Sequence, residues 1–272
     1  MNRNLILGAA LTFSLLTACT QQDKAEDKMA CVPASQMGIV NGTKVLSTDP
    51  LAKRVVMLLI VKGQEVEICT GTPITKDVIL TAGHCVLGAE KTKIAAVFHT
   101  DMTCESGFDV NTKSVRSKDF IVKPGYSGAA DAVDDIALVK LSSSIPSDYV
   151  VSDLYDGRST LSSDVVTLAG YGKINELYGS SGYLRTTTKS FKKDLRLVNN
   201  NMNLLMQQAD TGICQGDSGG PVFVEVGGRL QIAGVNSIVS GLTEATVCHY
   251  RSVSMYTPYY ADWIQTQLGN LR

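Results

Sequence analysis

A histidine, an aspartate and a serine, each in a distinctive local frame, are the residues of this chain best suited by type to acid–base and nucleophilic chemistry. His84 follows the apolar run in Val78-Ile79-Leu80-Thr81-Ala82-Gly83-His84-Cys85. Its imidazole titrates near neutral pH and suits proton transfer, although a lone histidine is more often structural. Asp135 stands in Asp134-Asp135-Ile136-Ala137-Leu138-Val139-Lys140-Leu141, at the mouth of a strand-like run. Taken alone, that acid is a strand-initiating turn residue. Ser218 lies in Gln215-Gly216-Asp217-Ser218-Gly219-Gly220-Pro221, where glycines permit a sharp turn and the close approach of a substrate carbonyl. A hydroxyl is a weak nucleophile at neutral pH and needs a neighbouring base. A plain glycine-rich turn is the alternative for this segment.

The elements that must position these residues are strands. Short runs rich in Val, Ile and Thr recur between turn-like clusters, 24 glycines punctuate the chain, and neither heptads nor repeats occur. The class is therefore all-β. With 272 residues, 44% of them hydrophobic, the chain can bury one large core or two medium ones. Its 25 Lys and Arg balance 26 Asp and Glu, and the one dense charge patch, Asp23 to Lys28, is mixed in sign. A nucleic-acid partner is not indicated.

In the order His, Asp, Ser, the three segments resemble the chymotrypsin and trypsin family over nearly all of residues 39–272. The resemblance extends to Ile39-Val40-Asn41-Gly42, Gly170-Tyr171-Gly172, Gly234-Val235-Asn236-Ser237 and Asp262-Trp263-Ile264. It implies two six-stranded antiparallel β-barrels packed face to face, the first carrying His84 and Asp135, the second Ser218. The boundary between them is expected near residues 145–165, with a C-terminal helix from about Pro258. The resemblance also implies a serine endopeptidase that acts on protein or peptide substrates as a monomer without metal or cofactor. In that family the serine attacks the scissile carbonyl, the histidine moves its proton, and the acid orients the histidine. Those roles fall on Ser218, His84 and Asp135. Asp135 is selected over Asp134 because the family's acid directly precedes Ile-Ala-Leu. Backbone N–H groups of Gly216 and Ser218 would form the oxyanion hole.

The family is made as zymogens. By resemblance, cleavage between Gly38 and Ile39 frees an amino group that pairs with Asp217, since a buried carboxylate is tolerated when paired. Met37-Gly38 is not a tryptic sequence, so the activator is expected to accept small residues and could be the enzyme itself. The resemblance pairs Cys69 with Cys85 and Cys214 with Cys248, which leaves Cys31 and Cys104 as a third pair tying the pro-segment to the domain.

Specificity follows from the pocket positions that the resemblance assigns. Gly212 stands where trypsins carry an acid, so a basic side chain would be buried without a counter-charge. Ile213 adds volume, and Ser237-Ile238-Val239-Ser240 resembles the elastase wall, with Val239 where open pockets have glycine. Small uncharged residues are expected before the scissile bond. Arg251 raises an acidic preference as the alternative, but counting back from Trp263 puts Ser252 in that slot.

Residues 1–18 form a signal peptide, with Arg3 before an apolar stretch too short to span a bilayer. Leu16-Thr17-Ala18-Cys19 resembles a bacterial lipobox, which makes Cys19 the expected acylation site and residues 19–38 a lipidated tether and pro-segment. The protein is thus expected to be an envelope lipoprotein at the outer membrane, or else secreted. Seven cysteines less Cys19 leave six, an even set suited to an oxidising compartment. The rival from another class is a non-catalytic binding protein on the same scaffold, against which the complete triad and activation motif speak. An esterase elbow is disfavoured because no aspartate followed by a histidine comes after the serine.

Overall fold

The computed structural model describes residues 39–128, 133–173, 182–191, 195–198, 201–208, 210–241, 243 and 246–271. The expected signal peptide, Cys19, Cys31 and Gly38 lie outside these residues. In chain order the first half contains β1 (Thr43–Lys44), β2 (Val56–Lys62), β3 (Glu65–Pro73), β4 (Val78–Thr81), the one-turn helix α1 (Gly83–Val86), β5 (Ile94–Val97), a second short helix α2 (Val110–Lys113), β6 (Ser114–Val122) and β7 (Ala137–Leu141). The second half contains β8 (Asp153–Leu154), β9 (Val165–Gly170), β10 (Arg185–Ser190), β11 (Leu195–Val198), β12 (Asn201–Gln207), β13 (Pro221–Val226), β14 (Arg229–Ser240), β15 (Arg251–Tyr256) and helix α3 (Ala261–Asn270).

β2 shows why the first half closes on itself. Its Val-Met-Leu-Leu-Ile-Val-Lys run is buried over the first five residues, as a continuous apolar strand must be. It pairs with β3 on one side and β5 on the other, and the ring β2-β3-β4-β7-β6-β5 is a closed barrel. Closure satisfies the edge N–H and C=O groups that an open sheet would expose. β4 and β7, both apolar and buried, pair antiparallel inside this ring. Their adjacent ends bring the segment after Thr81 and the segment before Ala137 together.

The second half is a nine-stranded sheet in the order β1-β10-β9-β13-β14-β15-β12-β11, with β8 lying parallel beside β14. The chain is thus mostly β with a C-terminal helix, in keeping with the expected class. Where a second six-stranded barrel was expected, the pairings make this longer sheet, extended by β1 at one end and the β11–β12 hairpin at the other. The barrel's apolar core continues into the second half through Tyr171, Phe223, Ile232, Met255 and Ile264. Tyr171 is fully buried and donates its hydroxyl to the His99 carbonyl at 2.9 Å. In α3, Ile264 is buried and Leu268, one turn on, packs partly against the same core. No helix among the described residues is long and apolar enough to cross a membrane.

Candidate active site

His84 lies in α1, immediately after β4, and a single carboxylate holds both its backbone and its ring. Asp135 Oδ1 accepts the His84 N–H at 2.7 Å, and Oδ2 lies 2.8 Å from Nδ1. Asp135 is only 1% exposed, where an unpaired carboxylate would be strongly disfavoured. The Ser237 hydroxyl adds a third bond, to Oδ2 at 2.5 Å. Burial pushes the Asp135 carboxyl up, but the bonds and charge of His84 and the Ser237 bond outweigh it, holding the carboxyl below its ordinary range. An ionised carboxylate only accepts, so Nδ1 carries the ring proton and Nε2 is the basic nitrogen. Asp134 is placed differently. Its backbone is left-handed, with φ of 55°, and its carboxylate lies 3.7 Å from Lys123 Nζ.

Ser218 lies in the turn that precedes β13. Gly216 and Gly219 adopt φ of 96° and 80°, which side chains rarely tolerate, and a Cβ on Gly219 would stand 2.0 Å from Thr81 Oγ1. The turn is clamped from both halves of the molecule. Thr70 of β3 donates its N–H to the Ser218 carbonyl at 2.8 Å and its hydroxyl to the Gly216 carbonyl at 2.9 Å. From β14, Asn236 accepts the Gly219 N–H at 2.7 Å and donates its N–H to the Gly220 carbonyl at 2.8 Å. Ser218 Oγ donates to the Ser237 carbonyl at 3.3 Å. Ser237, assigned to the pocket wall from the sequence, therefore links Ser218 to Asp135 through its carbonyl and hydroxyl. Thr70 was not singled out in the sequence, because a threonine after a cysteine in a strand carries no local signal.

Asp217 is fully buried beneath the same turn. Its carboxylate accepts the Gly172 N–H at 2.7 Å and the Cys214 N–H at 2.8 Å. Burial pushes its pKa up to about 7, against the lowering effect of those two bonds. Ile39 is buried in the second core, and its neighbour Val40 makes a two-bond bridge with Gly212, at 2.9 and 3.3 Å. That bridge ties the Ile39 segment to the strand of chain leading to Asp217 and Ser218.

Cys69 is bonded to Cys85, joining β3 to α1, and Cys214 to Cys248. Cys104 is also disulfide-bonded, and its partner lies outside the described residues. The sulfurs of Cys69 and Cys85 lie close to the His84 ring, but their mutual bond leaves no thiolate to hold a metal ion. Of the positions expected to line a pocket, Ile213 is buried in the second core with Ile39, and Val239 packs on the Cys214–Cys248 bridge. Ser252 is fully buried and stands opposite Val239 across the β14–β15 pair, whereas Arg251 stands opposite Ser240. A separate cavity of about 490 Å³, lined by Lys53, His99, Lys113, Asp148 and Tyr149 among others, lies on the first barrel and includes none of these residues.

A sequence model of the family described as Trypsin matches residues 46–264. A trypsin-like protease of Streptomyces glaucescens is 31% identical over 172 residues, covering 57% of this chain and 58% of that protein. CLIP domain-containing serine protease B9 of Anopheles gambiae is 26% identical over 76% of this chain and 57% of its own. Chymotrypsin-like elastase family member 1 of Felis catus is 24% identical over 88% of this chain and 92% of its own. The chain thus spans little more than half the length of the first two relatives and nearly all of the third. With the family model covering most of its length, the chain belongs to the trypsin family.

Proposed function

We propose that this protein is a serine endopeptidase in which Ser218 is the nucleophile, His84 the general base and acid, and Asp135 the group that orients His84. The observation that carries this reading is the single buried carboxylate of Asp135. It is bonded to the His84 N–H, to Nδ1 and to Ser237, whose carbonyl in turn receives the Ser218 hydroxyl. Turning Oγ from Ser237 toward His84 Nε2 is the movement that attack requires, and resting sites often tighten such bonds only with substrate present. The acyl-enzyme formed at Ser218 is then hydrolysed by water, with His84 again taking the proton. The N–H groups of Gly216 and Ser218 serve as the oxyanion hole, helped by the clamp of Thr70 on the Gly216 carbonyl.

The protein is made latent and becomes active on cleavage at Gly38–Ile39, when the freed amino group of Ile39 pairs with Asp217. A fully buried carboxylate whose described bonds come only from two amides supports a role that a cation completes. Cleavage follows small uncharged residues. Cys19 is acylated, so the domain is exported and tethered to the bacterial envelope, and residues 39–272 form the protease domain. Treatment of the processed protein with a serine-directed phosphonate tests the reading. Covalent labelling of wild type but not of Ser218→Ala is expected, and an unlabelled Ser218 in folded, processed protein would rule the activity out.

A further inference from the structure

Gln208 follows β12, and its N–H donates to the Tyr250 carbonyl at 3.1 Å, carrying the β12–β15 ladder one step beyond the Gln207–Arg251 pair. Side chains alternate along a strand, so Gln208 shares a face with Met206. Met206 stands opposite Ser252, and Ser252 opposite Val239, so Gln208 lies on the same face as the two pocket-wall positions. Its amide folds back onto the chain at Gly212-Ile213. Oε1 accepts the Ile213 N–H at 3.2 Å, and Nε2 donates to the Ile213 carbonyl at 3.0 Å. The side chain is fully buried, and Lys189 Nζ holds the Gln208 carbonyl at 2.6 Å.

A Cβ added to Gly212 would stand 1.8 Å from Gln208 Oε1 and 2.4 Å from Cδ. The space that any side chain at position 212 would take is therefore already filled by the Gln208 amide. Neither side can retreat easily, because Gly212 is bridged to Val40 and the amide is bonded at both ends. We infer that Gln208 is a specificity-determining residue, which closes the pocket at Gly212 with a neutral amide and restricts the residue before the scissile bond to short uncharged side chains. This inference rests on the protease reading of Ser218. Long aromatic side chains are excluded by volume, and basic ones also lack a counter-charge at that end.

The test compares wild type, Gln208→Ala and Gln208→Met as full chains processed at Gly38–Ile39, using peptides that differ only in the residue before the cut: Ala, Val, Leu, Phe or Arg. Gln208→Ala is expected to raise kcat/KM for Leu or Phe relative to that for Ala by on the order of tenfold, the scale on which pocket volume discriminates. Gln208→Met keeps the volume and is expected to keep the wild-type ranking. If Gln208→Ala does not fold, Gln208→Asn, one methylene shorter, should show the same shift toward Leu in smaller degree. A folded, phosphonate-labelled Gln208→Ala or Gln208→Asn with the wild-type ranking overturns the inference, as does a wild type that cleaves best after Phe or Arg. Failure of wild type to label at Ser218 overturns the protease reading instead, and this inference falls with it.

Discussion

The backbone N–H of Gly172 donates to Asp217 Oδ1 at 2.7 Å, and a Cβ on Gly172 would stand 2.4 Å from the same carboxylate. Gly170 is equally constrained, with its added Cβ 2.2 Å from Oδ1. The Gly-Tyr-Gly motif is thus a cradle: two missing side chains make room for the acid, and the tyrosine between them anchors the cradle in the barrel core. Gly172→Ala must displace either Asp217 or its own loop. A destabilisation of about 1–3 kcal/mol is expected, readable as a lower urea midpoint, with loss of Ser218 labelling in the processed protein.

The raised pKa of Asp217 makes the uncleaved chain pH-sensitive in a defined direction. Because its folded pKa, about 7, exceeds the ordinary 3.8, the folded state binds this proton more tightly. The resulting stability is complete below about pH 4 and is lost as pH rises through about 7, with a slope approaching 1.4 kcal/mol per pH unit. Asp217→Asn has no such proton. The stability of uncleaved wild type relative to Asp217→Asn should therefore fall between pH 4 and 7 and level off above it, as followed by denaturant titration. A constant difference across that range would contradict the assignment.

Asp135 gives the opposite sign. Its carboxyl is held below 3.8 in the folded state, so its contribution is present above that value and is lost as pH falls through the folded pKa. Ser237→Ala removes one of the lowering bonds. The wild type should exceed this variant in stability at neutral pH, and the difference should shrink below about pH 4. On the proposed mechanism, Asp135→Asn should reduce kcat about ten-thousand-fold, the size this change has in trypsin-like triads.

Thr70 is expected to act on the site without touching substrate. Its hydroxyl accepts the Tyr171 N–H at 3.1 Å while donating to the Gly216 carbonyl. Thr70→Val removes the partner of the buried Tyr171 N–H and of the half-buried Gly216 carbonyl, at a cost of about 1–3 kcal/mol. Thr70→Ser restores both bonds and should recover stability and labelling rate together. Recovery of stability without recovery of labelling would confine Thr70 to a purely structural role.

The remaining disulfide carries a prediction for processing. Cys104 is bonded, and the four other described cysteines are bonded to one another. The partner expected from the sequence is Cys31, which precedes Ile39. After cleavage at Gly38–Ile39, the N-terminal piece should stay attached on a non-reducing gel and separate on reduction. Release without reductant would show that the piece is not held through Cys104.

His84, Asp135 and Ser218 stood out in the sequence because each lies in a contiguous string whose neighbours carry the signal: an apolar strand before the histidine, another after the aspartate, glycines around the serine. The all-β class was legible for the same reason, since strand and turn composition is local. Tertiary structure alone decided that Ser237 serves Asp135 and Ser218, that Thr70 clamps the Gly216–Ser218 turn, and that the glycines at 170 and 172 make room for Asp217. It also decided that the space beside Gly212 belongs to Gln208, where the sequence showed a position without an acid and added volume at Ile213. Each of these is a contact between segments far apart in the chain. Residue types record what a position could do, but hydrogen-bond partners and occupied volume exist only once the barrel and the sheet have brought those segments together.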